Sequence, residues 1–373
     1  LTISGTQDST LLQQPDGVAR SKINSSTFGQ GNAGKITINT GGKLSVLNKG
    51  GILSEVRDTG VGNSNGIKID AGELEIANRS SIQTTTKQAK LVKDKGNAGN
   101  IDIKTKGNLT ISGTENPTFL QERAGVALSS INSSTEGQGD AGKITIDTAG
   151  KLSVLNRGGI FSAIDATGVG NSNGIKIDAG ELDIANQSSI QTPTSQAKLV
   201  KDKGNAGDIT ISTNGNLTII GTNNSSDSGV SGINSSSVGA GDAGKVTINT
   251  QGNKLFLSNR AAIFSAIKEG VGHSKGVKID TGDLNLTNGS AISTGNVGGL
   301  GNAGDVVITS KGKIDIVDSI GISSFNFGLG KAGNISLTSN KLNLNKSPVL
   351  TNSFFGSGGD LKLDIKDYLL LRN

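Results

Sequence analysis

Residues 31–54 read GNAGKITINTGGKLSVLNKGGILS, and residues 139–162 restate them as GDAGKITIDTAGKLSVLNRGGIFS. Phrases resembling GNAG-x-I-x-I begin near residues 31, 62, 96, 139, 170, 204, 241, 272, 301 and 330, with a remnant at 358. The spacing runs from 28 to 43 residues. A period of that length marks a solenoid, in which each unit is one supersecondary element that buries its apolar face only by stacking on its neighbours.

Each unit carries three apolar dyads. The first is of the type Ile36/Ile38, Ile67/Ile69 and Ile101/Ile103; the second is Leu44/Val46, Leu74/Ile76 and Leu109/Ile111. The third is an Ile followed two residues later by Ser or Thr, as in Ile52/Ser54, Ile82/Thr84 and Ile131/Ser133. Apolar-x-apolar is period two, the signature of a strand with one buried face. Gly, Asn, Asp and Ser punctuate between the dyads as turn residues do. Stacking equivalent strands predicts an all-β parallel β-helix with three short strands per coil, hence three sheets. About eleven coils at the ~4.8 Å strand spacing give a rod of roughly 50 Å. The Asn after the second dyad (Asn48, Asn78, Asn156, Asn186, Asn259, Asn288) sits where a left-handed turn or an amide ladder is useful.

Composition fits a narrow interior. The 373 residues include 56 Gly, 3% aromatics and no Trp, Met or Cys, so Ile, Leu, Val and Ala must fill the core. Without Cys there are no disulfides or thiolate metal sites. The net charge of +5 comes from 36 basic and 31 acidic residues spread along the chain, which argues against nucleic acid as a partner. No apolar run approaches the ~20 residues needed to span a bilayer.

Residues 1–108 and 109–216 overlay without a gap, with roughly three in four positions identical. The copied unit is therefore a three-coil block, and the chain divides into blocks 1–108, 109–216 and 217–373 of one continuous β-helix. Both ends fall inside a coil pattern and open without a signal peptide, so the chain is expected to be a segment of a longer protein. Loops are inserted at 4–22, 85–95, 112–130 and 193–203. Insertions on a solenoid map to one face, often the binding face. Lys87, Lys90, Lys93 and Lys95, with Lys198, Lys201 and Lys203, form a candidate stripe for an anionic ligand such as a polysaccharide or lipid headgroups. The alternative is a solvated amphipathic turn around Leu91–Val92. Phe119, Leu120 and Val126 are expected to tuck their loop against the rod.

Catalysis finds little support. There is no Asp-Asp pair, and the only His, His273, replaces an Asn of the GVGNSNG turn. No position is seen to depart from the repeat toward a unique polar cluster. The turn aspartates Asp140, Asp208, Asp242 and Asp305 do not match a Ca²⁺-binding nonapeptide. The expectation is a non-enzymatic chain without cofactor or metal. Lys68 beside Asp102 is read as a cross-strand ion pair.

The phrases GNAGKITINT, GKLSVLNKGGI, GELEIANRSSIQT and GNAGNIDIKTKGNLTISG resemble the repeat region of filamentous-haemagglutinin-like proteins exported by two-partner secretion, particularly cyanobacterial ones. The resemblance covers nearly the whole chain and rests on repeat style. It implies a right-handed β-helix outside the cell or on its surface, acting as adhesin, biofilm component or stalk. It also implies an outer-membrane two-partner-secretion transporter as export partner, then surface polysaccharide or other cells. The secretion domain of such proteins is not visible, and the single Asn116–Pro117 lies in an inserted loop. The function expected is thus a structural and adhesive rod. A polysaccharide-binding or polysaccharide-processing β-helix is one alternative; a fibre scaffold self-associating end to end or laterally is the other.

Overall fold

The computed structural model describes residues 1–5, 21–57, 60–87, 96–114, 128–165, 168–195, 204–222 and 230–373. The described residues form a β-solenoid of about 10 turns, all-β and without helix among them. Every strand pair among the described residues is parallel, and the dyads align coil upon coil. Ile67 pairs with Ile36 and Ile101, and Ile144 with Ile101 and Ile175. Ile82 likewise pairs with Ile52 and Ile131. The turn count is close to the eleven corner phrases, because the last of them opens only the strand Leu361–Arg372.

Two sheets form where three were expected. The first and second dyads share one 17-stranded sheet, and the third lies in a 12-stranded sheet. The corner between the first two is so short that pairing runs through it. Ile36–Leu47 is one strand with a register shift between Thr40 and Lys43, and Ile144–Leu155 shifts between Thr148 and Lys151. A bulge bends the strand without ending the ladder.

The dyad side chains make one continuous core, with Leu44, Val46, Ile52, Ile82, Ile131 and Ile160 fully buried. Each such burial contributes ~1.5–3 kcal/mol. The Ser or Thr of the third dyad also points inward, where its hydroxyl needs an acceptor. It finds one in the last Gly of the corner phrase: Thr84 and Ser133 both donate to the Gly99 carbonyl, at 2.6 and 3.0 Å.

The corner phrase can now be read letter by letter. Its first Gly takes positive φ in most coils, as at Gly31, Gly139 and Gly301 (+137°, +153° and +141°). Its Asn or Asp oxygen accepts the backbone N–H of the equivalent residue one coil on, as when Asn63 donates to Asn32 Oδ1 at 2.8 Å. Its Ala is buried (Ala33, Ala98, Ala141). Its last Gly has no space for a side chain: a Cβ on Gly142 would lie 2.1 Å from the Gly99 carbonyl oxygen. The six Asn residues after the second dyad all take positive φ, between 51° and 59°. They also form amide ladders, Asn78 to Asn48 at 3.0 Å and Asn186 to Asn156 at 2.8 Å.

Lys68 stands opposite Asp102 in register, but the ion pairs that close on this sheet are others. Lys43–Glu75 at 2.6 Å and Lys176–Asp178 at 2.7 Å are examples. Half-exposed pairs of this kind contribute little.

Candidate functional site

On the outward face of the second sheet, residues at equal offsets from the third-dyad Ile stack into rows. Four successive coils begin these rows at Ile52, Ile82, Ile131 and Ile160. One position on come Leu53, Gln83, Asn132 and Phe161. Three positions on come Glu55, Thr85, Ser134 and Ala163; five on, Arg57, Lys87, Glu136 and Asp165. Backbone bonds hold the last row together. Lys87 donates to Val56 O at 2.7 Å, Glu136 to Thr86 O at 3.0 Å and Asp165 to Thr135 O at 3.0 Å.

These rows enclose a groove of about 370 Å³. Its lining is polar throughout: Gln83, Thr85, Asn132 and Ser134 on the floor, with Glu55, Arg57, Lys87, Glu136 and Asp165 beside them. Glu55 is buried, at 6% exposure, and is fully engaged. Its carboxylate accepts from Thr85 Oγ1 at 3.1 Å and from Arg57 Nε at 2.6 Å, and forms an ion pair with the same guanidinium. Arg57 also lies over the Phe28 ring, 5.8 Å from its centroid. Lys87 reaches Glu136 at 3.5 Å.

Two groups in the groove are left over. The Asn132 amide donates to Ser134 Oγ at 3.3 Å, but its Oδ1 has no partner. No side-chain hydrogen bond or ion pair from the described residues reaches the Asp165 carboxylate. Desolvation pushes the Asp165 carboxyl above its usual value, the Glu136 charge adds to this, and Lys87 opposes it. Three carboxylates thus share the groove with two cations, and both cations already hold a carboxylate.

Of the expected lysine stripe, Lys87 lies at the groove, while Lys90, Lys93, Lys95, Lys198, Lys201 and Lys203 fall outside the described residues. Most of the four inserted loops, including Phe119, Leu120 and Val126, do so too. Among the described residues no three His, Cys, Asp or Glu side chains converge as metal ligands would.

The expectation that no polar cluster departs from the repeat is overturned here. In the 108-residue overlay, Glu55 corresponds to Ala163, Arg57 to Asp165, Phe28 to Glu136 and Lys87 to Ser195. These positions differ in a pair of blocks that otherwise agree at most sites, and one of them inverts its charge. The groove straddles the junction of the two blocks, and its charged rim is not copied from one block to the next. That divergence was readable in the sequence. What the sequence concealed is that Glu55 and Asp165, 110 positions apart, line one cleft.

His273 lies elsewhere, in the corner ladder. It occupies the rung filled in other coils by Asn or Asp, and its Nδ1 accepts from the Asn302 backbone N–H at 3.0 Å.

No family model, curated protein or solved structure matches the chain. No helix among the described residues is long and apolar enough to cross a membrane, which leaves β-barrel membership untouched.

Proposed function

We propose that this chain is a non-enzymatic, structural and adhesive rod of a secreted or cell-surface protein, with the groove on its second sheet as the contact point for a surface polysaccharide. A solenoid is quasi-one-dimensional, and its stacked coils suit a spacer that carries binding residues along its flank. One observation carries the reading: the groove is polar, open, and built from residues that break an otherwise faithful internal repeat. Floor groups such as Gln83, Thr85 and Ser134 match the hydroxyl pattern of sugars, and the volume lies in the usual range of ligand clefts.

The resemblance in repeat style supports export through an outer-membrane two-partner-secretion transporter. A secretion domain in the sequence upstream of residue 1 is the expected companion.

The adhesive reading is tested by capture on immobilised polysaccharides. Phe161 occupies the same outward row as Asn132, so an aromatic ring is compatible with that row. Gln83→Phe should therefore fill the groove and abolish capture without lowering the unfolding temperature. Unchanged capture by that variant would remove the groove from the reading. The second reading, a polysaccharide-processing β-helix, is favoured by the Glu136 and Asp165 carboxyls in one cleft. Release of new reducing or unsaturated sugar ends would establish it instead.

A further inference from the structure

We infer that the groove recognises a saccharide carrying a free amine, a hexosamine unit rather than a neutral or acidic sugar. The inference rests on the proposal that the groove binds glycan, and it names the class.

The argument is one of unspent hydrogen-bonding capacity. Arg57 is committed to Glu55 by a hydrogen bond and an ion pair, and Lys87 is committed to Glu136. Neither cation is left over for an anionic ligand. The unpartnered groups are both acceptors: the Asp165 carboxylate and the buried Asn132 Oδ1. Glu136, which Lys87 reaches at 3.5 Å, adds a second carboxylate to the groove. A bound molecule must therefore bring donors, and the strongest match to two neighbouring carboxylates is an ammonium group.

An acidic sugar would face Asp165 and Glu136 with its own charge, and like charges in a partly desolvated cleft repel. A neutral sugar would satisfy the floor but leave the two carboxylates crowding each other. An amine answers both needs, since it pairs with Asp165 and relieves its repulsion with Glu136. The internal repeat points the same way. Asp165 stands where the first block has Arg57, and Glu136 where it has Phe28, so acceptors were introduced at this junction and nowhere else in the matched row.

The test is calorimetric titration of the whole chain with three probes: glucosamine oligomers, N-acetylglucosamine oligomers and galacturonic acid oligomers, in a buffer that keeps the sugar amine protonated. The free-amine oligomer should bind at least about tenfold more tightly than the acetylated one, the factor of one charge-assisted hydrogen bond. Asp165→Asn should remove that advantage, while Asp147→Asn, which deletes an equal charge from the other sheet, should leave it intact. Equal binding of the acetylated oligomer would overturn the amine inference and leave the glycan reading standing. Preference for galacturonic acid would overturn it in favour of the basic residues. Binding of none of the three would overturn both. Advantage retained in Asp165→Asn would place the amine elsewhere on the rod and sink the assignment to this groove.

Discussion

Asn302 donates its backbone N–H to Nδ1 of His273 at 3.0 Å, in a rung where other coils present an Asn or Asp oxygen. His273 in turn donates its own N–H to Asp242 Oδ1 at 2.8 Å, so the ladder runs through the substitution unbroken. The only histidine of the chain is therefore an acceptor in the frame. An accepting Nδ1 leaves the ring proton on Nε2, and that tautomer is directly visible in nitrogen chemical shifts. His273→Asn should leave stability within about 0.5 kcal/mol of wild type, since it restores the usual rung. His273→Leu should cost about 0.5–1 kcal/mol by removing the acceptor of the Asn302 N–H from the ladder. Denaturant unfolding of the two variants checks the pair, and an equal cost for both would remove the rung argument.

The last glycine of each corner phrase is a matter of space, and that separates it from glycines that only terminate turns. A Cβ on Gly99 would meet the Gly66 nitrogen at 2.4 Å and Ser64 Oγ at 2.7 Å. Gly41, exposed on the long strand, has nothing within 4 Å of the same atom. Gly99→Ala should therefore destabilise by about 1–3 kcal/mol or more through overpacking. Gly41→Ala should be neutral or gain about 0.4–1 kcal/mol by restricting the unfolded chain. Thermal unfolding of the two alanines decides the matter; similar losses would mean that the corners are not close-packed.

These two cases mark what the sequence could and could not convey. Period-two dyads recurring in the same order in every unit pointed to parallel coils, because stacking equivalent strands buries so many short one-faced strands at once. The αL asparagines were equally legible, since Asn48 and its five counterparts recur at one offset from the second dyad. The sheet count was not, because a strand that bends through a bulge, such as Ile36–Leu47, leaves no mark on the dyad pattern. The groove was hidden for a different reason. Glu55, Glu136 and Asp165 each look like an ordinary surface charge, and only coil stacking brings them together beside Lys87. Charge is dense along the chain in the lysines of the inserted loops, whereas Arg57 and Asp165, where the copy changes sign, lie outside those loops.

Core truncation should show how local stability is in such a rod. Ile131 is fully buried and pairs with Ile82 on one side and Ile160 on the other. Ile131→Ala should cost about 2–5 kcal/mol for the lost contacts and the cavity left behind. In a solenoid each coil contacts only its neighbours, so the loss should stay near the mutated coil. Hydrogen exchange should lose protection first at the strands Ser81–Thr86 and Gly158–Ile164, with Val306–Ser310 unchanged. Uniform loss of protection along the chain would mean that the rod unfolds as a single unit.

Asp165 provides a pH-dependent check whose sign is the reverse of a salt-bridged carboxylate. Desolvation, then the Glu136 charge, raises its folded pKa above the usual 3.8. Below that value the group is protonated in both the folded and the unfolded chain and contributes nothing. As pH rises through the window between the unfolded and folded values, the unfolded chain releases its proton first, so Asp165 makes the fold progressively less stable. Above the folded value the penalty is complete, and it persists at neutral pH. Asp165→Asn keeps the size of the side chain and removes the ionisation. The variant should match wild type in acid and exceed it at neutral pH, with the difference opening just above pH 3.8. Unfolding temperatures of the two proteins across that range measure it directly. A difference that stays flat with pH would show that Asp165 is as well solvated in the groove as in the unfolded chain.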